Sequence, residues 1–257
     1  MGGVVRRDHG GRARLAIDIA VFTAAVYAAT VAIQIYQPAT GGYFNLGESV
    51  IYVAALLKSP LVAAFAGGVG AALADISTGY GIFAPGTLII KFIEGFVAGT
   101  LIRKLSGKNT PFIHNLLTII ACILYPALIV VFATIYWAGE AYYGPSEFLM
   151  KTLEPPLINI PLFLWIIIAF SLAVATIYVL LKRLVKGIEP PILLIAGFIM
   201  VLGYFLYEFF YSNPATGRDP WAATAEIPIN IGQAVIGASI AIPVSGWLRR
   251  AGYGKQT

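Results

Sequence analysis

Residues Leu15–Tyr36 read LAIDIAVFTAAVYAATVAIQIY, an apolar and small-residue run broken by a single charge, Asp18. As a helix rising 1.5 Å per residue, a run of this length covers the ~30 Å hydrocarbon core of a bilayer. It has no period-two alternation, which excludes a transmembrane β-strand. The basic residues before it imitate the start of a signal peptide. The apolar run is longer than a signal core, so an uncleaved first membrane helix is expected.

The rest of the chain follows that pattern. Of 257 residues, 59% are hydrophobic and 11% charged, and the mean hydropathy is +0.83. A soluble domain carries about 25% charged residues, so a water-soluble globule is excluded. Seven further apolar segments are expected at Leu46–Leu57, Leu61–Ile76, Phe83–Ile102, Ile113–Ala138, Leu157–Leu181, Ile192–Tyr211 and Trp221–Leu248. The fold class is therefore all-α, a polytopic integral membrane bundle of about eight segments forming a single membrane domain over 1–257. The second and third segments are short and should form a hairpin around Lys58-Ser59-Pro60, sheltered by their neighbours.

Charge placement orients the bundle. With a cytoplasmic N-terminus, the inner loops hold fourteen basic residues: Arg6, Arg7, Arg12, Arg14, Lys58, Arg103, Lys104, Lys108, Lys182, Arg183, Lys186, Arg249, Arg250 and Lys255. The outer loops hold Lys151 and Arg218. This bias predicts an even number of crossings with both termini cytoplasmic. The net charge of +5 is thus a topology signal for a protein in contact with membrane lipid, and no nucleic-acid partner is expected. Acidic residues gather at the opposite, outer ends: Glu48, Asp75, Glu140, Glu147, Glu154, Asp219 and Glu226, with Asp8, Asp18 and Glu189 inside. Either carboxylates remain where lysines are excluded, or they mark an outward-facing polar cavity.

The single Cys122 excludes an internal disulfide, and two histidines, His9 and His114, cannot build a His-based metal or haem site. No metal and no cofactor is expected. No zinc-protease, serine-hydrolase, P-loop or dinucleotide motif occurs, and no second aspartate motif accompanies Asp75 for intramembrane proteolysis, so the chain is not expected to be an enzyme. Without an ATP-binding motif, active transport must draw energy from partner subunits or an ion gradient. Ser77-Thr-Gly-Tyr-Gly81 imitates a potassium-channel filter, but it is a short loop after a full segment and before Ala84-Pro85, so the channel reading is weak.

Several positions can carry function. Ala16, Ala20, Ala24, Ala28 and Ala32 recur every four residues along one face of the first helix, which suits close helix–helix approach; they serve either internal packing or docking of another protein. Asp18, near the inner end of this face, is a candidate to pair with a basic residue of that partner. The Gly-rich outer loop from Pro38 carries Tyr43, Phe44 and Asn45 into Glu48, with Tyr52 one turn on, and offers rings and an amide as a lid over a ligand. Asp75 ends a small-residue face formed by Ala63, Gly67 and Ala71, and Tyr80 follows at the outer rim. Lys91 and Glu94 lie three apart in mid-segment, where charges must pair or face water. Glu226, Asn230 and Gln233 share one stripe of the last helix, either as a hydrogen-bonding seam between helices or as readers of a small polar ligand. Glu208 is a weaker candidate.

Four stretches carry a resemblance: GGYFNLGESVIYVAALL at 41–57, GGVGAALAD at 67–75, APGTLIIKFIEG at 84–95 and AEIPINIGQAVIG at 225–237. Together they resemble the substrate-binding S component of energy-coupling factor (ECF) vitamin transporters, of the riboflavin-transporter-like type. The resemblance covers the first four segments and the last. It implies a subunit that captures a vitamin or vitamin precursor, riboflavin-like or thiamine-precursor-like, and works with a transmembrane coupling subunit and ATPase subunits of an ECF module. It further implies substrate contacts at Asn45, Glu48, Tyr52, Asp75, Tyr80, Lys91, Glu94, Glu226, Asn230 and Gln233, and docking through the alanine face. Such components usually have six helices. The surplus is expected to be a helix pair inserted at 112–186 into a six-helix core of 15–106 and 189–250, which leaves open whether Glu208 reaches the site. A stand-alone secondary transporter or channel, with Lys91 and Glu94 gating, is the competing class, and a membrane scaffold with no ligand is a third.

Overall fold

The structure, a computed structural model, describes residues 9–36, 41–105, 111–142, 144–182, 184 and 188–253. Arg6, Arg7, Asp8, Pro38, Lys108, Arg183, Lys186 and Lys255 lie outside the described residues, as do the side chains of His9, His114 and Cys122. The helices are α1 (His9–Ala32), α2 (Gly47–Leu57), α3 (Pro60–Ser77), α4 (Ala84–Leu105), α5 (Pro111–Phe132), α6 (Leu162–Leu181), α7 (Glu189–Tyr207), the short α8 (Asn213–Ala215) and α9 (Glu226–Arg250). Each of the eight expected apolar segments corresponds to one helix, α2 being the shortest of them at 11 residues.

Five stretches are long and apolar enough to cross a membrane: Gly10–Ala32, Pro60–Ser77, Ala84–Leu105, Glu189–Ala215 and Pro220–Arg250. Three shorter apolar helical stretches, Gly47–Leu57, Pro126–Ile135 and Leu162–Tyr178, accompany them. The surface confirms the solvent for which the bundle is built. Ile17, Val21, Leu73, Ile89, Phe96, Ile195 and Phe198 are all exposed, an apolar exterior suited to a lipid surround.

The corner between α2 and α3 follows from local chemistry. Ser59 caps α3 by accepting a hydrogen bond from Val62 N at 3.2 Å, and Pro60 occupies the first turn, where its missing N–H costs nothing. Helices α3 and α4 pack closely because glycines line much of their seam. A Cβ at Gly95 would collide with the Ala63 carbonyl, and one at Gly99 with Pro60. Close backbone approach of this kind substitutes for the hydrophobic drive that lipid cannot supply. The core around it is built from Val26, Ile51, Tyr52, Ala54, Ala63, Leu193, Ala196, Ala238 and Ile242. Helices α5 and α6 pack on each other and against α9.

Short antiparallel strands cover one end. β1 (Ile35–Tyr36) pairs with β2 (Tyr43–Phe44), setting Tyr36 opposite Tyr43. β3 (Gly139–Tyr142) pairs with β6 (Leu157–Ile160), and β4 (Glu147–Phe148) with β5 (Lys151–Thr152). Backbone bonds from Gly144 N to Gln34 O and from Leu149 N to Ser77 O, both 2.8 Å, tie the α5–α6 loop to the ends of α1 and α3. Ser77–Gly81, the filter imitation, is the turn between α3 and α4, with Tyr80 N bonded to Asp75 O at 2.9 Å.

The other end is basic, and two of its cations are held in ion pairs. Arg249 donates to both carboxylate oxygens of Glu189 at 2.9 and 3.1 Å, and to the carbonyls of Leu184 and Leu56 at 3.0 and 2.8 Å. Asp18 pairs with Lys58 at 2.8 Å. This corrects the expectation that Asp18 waits for a basic residue of another protein: the α2–α3 corner brings an internal lysine to it.

Candidate functional site

Three helices and one loop aim polar side chains into the apolar bundle from the strand-covered end. On α4, Thr87 and Lys91 lie one turn apart. On α9, Glu226, Asn230 and Gln233 follow one stripe. On α7 and the turn that continues it, Tyr204 and Glu208 are four apart. These faces, with Asp75 of α3 and the loop residues Tyr43 and Asn45, converge on an internal cavity of about 40 Å³. Asp75, Lys91, Glu208, Glu226, Asn230 and Gln233 are all at least nine-tenths buried and line it.

The floor is a buried charge cluster. Lys91 donates to Glu48 and also reaches the Met200 sulfur, while Glu94 Oε2 lies 3.5 Å from the ammonium. The Lys91 charge sits 5.4 Å from the centre of the Tyr204 ring, within cation–π range. Tyr52 lies beneath the cavity and donates to Glu94 Oε1 at 2.7 Å. Lys91 and Glu94 are therefore paired as expected, with Glu48 as a second carboxylate in the cluster.

The roof is the first outer loop. Asn45 turns the chain into α2, its Oδ1 accepting from Gly47 N at 2.8 Å, while its own N–H donates to Gln233 Oε1 at 2.9 Å. Tyr43 donates to Asp75 Oδ1 at 2.6 Å. Burial, together with the neighbouring Asp75 carboxylate, pushes the Tyr43 hydroxyl well above its ordinary value of 10.0, so it stays a donor at neutral pH. Tyr80 stacks on Tyr43 with ring centroids 4.3 Å apart, but it faces a second, outer hollow and not the inner cavity.

Of the ten expected contact residues, Asn45, Asp75, Lys91, Glu226, Asn230 and Gln233 line the cavity. Glu48, Tyr52 and Glu94 support its floor, and Tyr80 backs its roof. Glu208, whose reach the sequence left open, lines the cavity. Thr87 and Tyr204, joined hydroxyl to hydroxyl at 2.9 Å, were missed. The signal was present in their spacing: Thr87 stands four before Lys91, and Tyr204 four before Glu208. Among the described residues no group of three His, Cys, Asp or Glu side chains converges as a metal cage.

The alanine face points away from all of this. Ala16, Ala20, Ala24, Ala28 and Ala32 are exposed along the outer surface of α1, so packing against the chain's own helices does not account for them.

A family model described as "ECF-type riboflavin transporter, S component" matches residues 13–186. The chain belongs to this family. Its family and its apolar helices make it a multi-pass membrane protein. The match runs through α5 and α6 and stops before α7 and α9, although α9, with α7 and the turn that continues it, supplies part of the cavity wall. An uncharacterized protein of Pyrococcus woesei is 48% identical over 75 residues, 29% of this chain and 50% of that protein. The chain thus spans about half the length of the curated relative it matches. No solved structure matches the chain.

Proposed function

We propose that this S component captures riboflavin, or a vitamin of closely similar chemistry, from the outer side and that the cavity beneath the first outer loop is where it is held. The observation that carries this reading is the convergence of five elements on one buried polar cavity within a chain of the riboflavin-transporter family. The lining is rich in acceptors. Asp75, Glu208 and Glu226 face it with one ammonium, Lys91, which is already engaged by Glu48 and Glu94. A planar heterocycle with N–H groups and a hydroxylated chain supplies donors to such a site and an aromatic face to Tyr204 and Phe83. Pantothenate lacks the aromatic face and would add a negative charge to a lining already rich in carboxyl groups. The same surplus of carboxyl groups favours a cationic thiamine precursor as the second reading.

The cavity of about 40 Å³ has room for a few waters, whereas ligand pockets occupy about 300–1,000 Å³. Binding therefore requires the first outer loop to lift, exchanging Tyr43–Asp75 and Asn45–Gln233 for ligand contacts. In this proposal both termini are cytoplasmic, consistent with the pairing of Arg249 and Lys58 at the basic end. The protein carries out capture and no bond chemistry. The exposed alanine face of α1 docks on a transmembrane coupling subunit, whose two ATPases then drive release.

Two experiments test the proposal. Titration of the nanodisc-embedded protein with riboflavin, thiamine and pantothenate should give saturable binding of riboflavin. Saturable binding of thiamine alone selects the second reading, and ion flux in liposomes from the lone protein selects a secondary transporter or channel. Ala24→Leu should abolish co-purification with a co-expressed coupling subunit while vitamin binding persists. Loss of binding with normal assembly would overturn the assignment of that face.

A further inference from the structure

Beyond the Tyr43–Tyr80 stack lies a hollow of about 510 Å³ open to the outside, bounded by Tyr36, Tyr80, Tyr142, Ser146, Glu154 and Pro155. Its walls come from two separate parts of the chain. Tyr36 and Tyr80 flank the first outer loop and the α3–α4 turn, and the other four belong to the loop between α5 and α6. The tethers from Gly144 to Gln34 and from Leu149 to Ser77 hold that loop in place.

Two features make this hollow more than a surface dent. First, Tyr36 and Tyr142 are about half exposed, at 46% and 56%, so two rings stand open to an incoming planar molecule, with the Glu154 carboxylate beside them to accept from a ring N–H or a hydroxyl. Second, it shares a wall with the inner cavity. Tyr43 lines the inner space, Tyr80 lines the outer one, and the two rings stack. Tyr36 lies directly opposite Tyr43 across the β1–β2 pair. A ligand seated against Tyr36 and Tyr80 is one side chain away from the inner cavity, and the rings it meets are the ones that must move for it to enter.

We propose that the outer hollow is a first binding station for the same flavin-type ligand, with the Tyr43–Tyr80 stack as the door to the inner cavity. This rests on the capture reading above for the identity of the ligand. It assigns the α5–α6 loop a role in collecting the ligand, and it makes Tyr142 and Glu154 determinants of the rate of uptake and not of final affinity.

Stopped-flow quenching of riboflavin fluorescence by the full chain in nanodiscs tests it. The wild type should show a fast phase that scales with riboflavin concentration, followed by a slower phase that levels off. Tyr142→Ala, at an exposed position that folding does not need, should remove the fast phase and slow arrival about tenfold, the worth of one aromatic stacking contact, with the equilibrium constant within about twofold of wild type. Tyr80→Ala should speed entry and exit alike. Asn230→Leu, which blocks the inner cavity, should lose the slow phase and keep the fast one. Unchanged arrival in both Tyr142→Ala and Glu154→Gln, or loss of the fast phase in Asn230→Leu, overturns the outer station. A wild type showing the fast phase alone overturns the inner-cavity reading and leaves the station standing, and a wild type with neither phase overturns both.

Discussion

Two buried carboxylate systems divide the bundle between them. At the basic end, Glu189 receives both arms of Arg249, whose remaining donors go to two backbone carbonyls. Toward the acidic end, Glu48 and Glu94 share Lys91, and the donors run out: among the described residues Glu48 Oε2 and Glu208 Oε2 have no hydrogen-bond partner. Both systems sit in an apolar surround where an unmatched polar group is costly. The difference in satisfaction separates their roles. The first pins α2, α7 and α9 together, and nothing is left over to read a ligand. The second leaves acceptors aimed into a cavity, and a buried acceptor without a donor calls for a specific explanation. A donor-bearing ligand supplies one.

The largest effect that sharpens this contrast is on stability. Arg249→Ala leaves the Glu189 carboxylate buried without its cation, which should cost about 3 kcal/mol, read as a lowered unfolding midpoint in detergent. The folded fraction should bind vitamin as before. Next, Asn230→Ala should weaken binding by about 2 kcal/mol, roughly thirtyfold, by leaving a ligand group unpaired, with the unfolding midpoint unmoved. If Arg249→Ala instead weakened binding, or Asn230→Ala chiefly destabilised the fold, the division between pin and site would fail.

Smaller effects test the roof. Tyr43→Phe removes the donor to Asp75 and should cost the closed loop about 1 kcal/mol, seen as faster vitamin entry. The same substitution has a pH signature. The Tyr43 hydroxyl is raised above 10.0 in the folded protein by burial and by Asp75, so the folded state keeps a proton that the unfolded chain loses. Its contribution to stability is complete below pH about 10 and falls as pH rises beyond that. Tyr43→Phe should therefore flatten part of the alkaline loss of stability relative to wild type. An identical slope in both proteins would show that the Tyr43 environment is not closed. Tyr80, raised to about 12 mainly by burial, is unaltered in Tyr43→Phe and should retain its own share.

Helical periodicity made much of this legible in sequence. Eight apolar runs each gave a helix, five of them within stretches long enough to span a membrane, Lys91 and Glu94 are paired, and Glu226, Asn230 and Gln233 share one wall of the cavity. What stayed hidden was of two kinds. Tyr204, Thr87 and Met200 carry no charge, so inside an apolar helix they look like packing until a cavity is seen beside them. Long-range partners were hidden as well. Glu48 reaches Lys91 from another helix, and Lys58 reaches Asp18 only because the Ser59-Pro60 corner folds α2 and α3 back along α1. The strands of the α5–α6 loop are two to four residues long, too short to leave a period, and so the outer hollow could be found only in three dimensions.

Native mass spectrometry of the protein purified from cells and released from nanodiscs tests the central claim most directly. The account predicts the mass of the chain plus one flavin, reduced to the bare chain by Asn230→Ala and retained by Ala24→Leu. A bare or lipid-only wild-type protein that stays bare after incubation with riboflavin would contradict it.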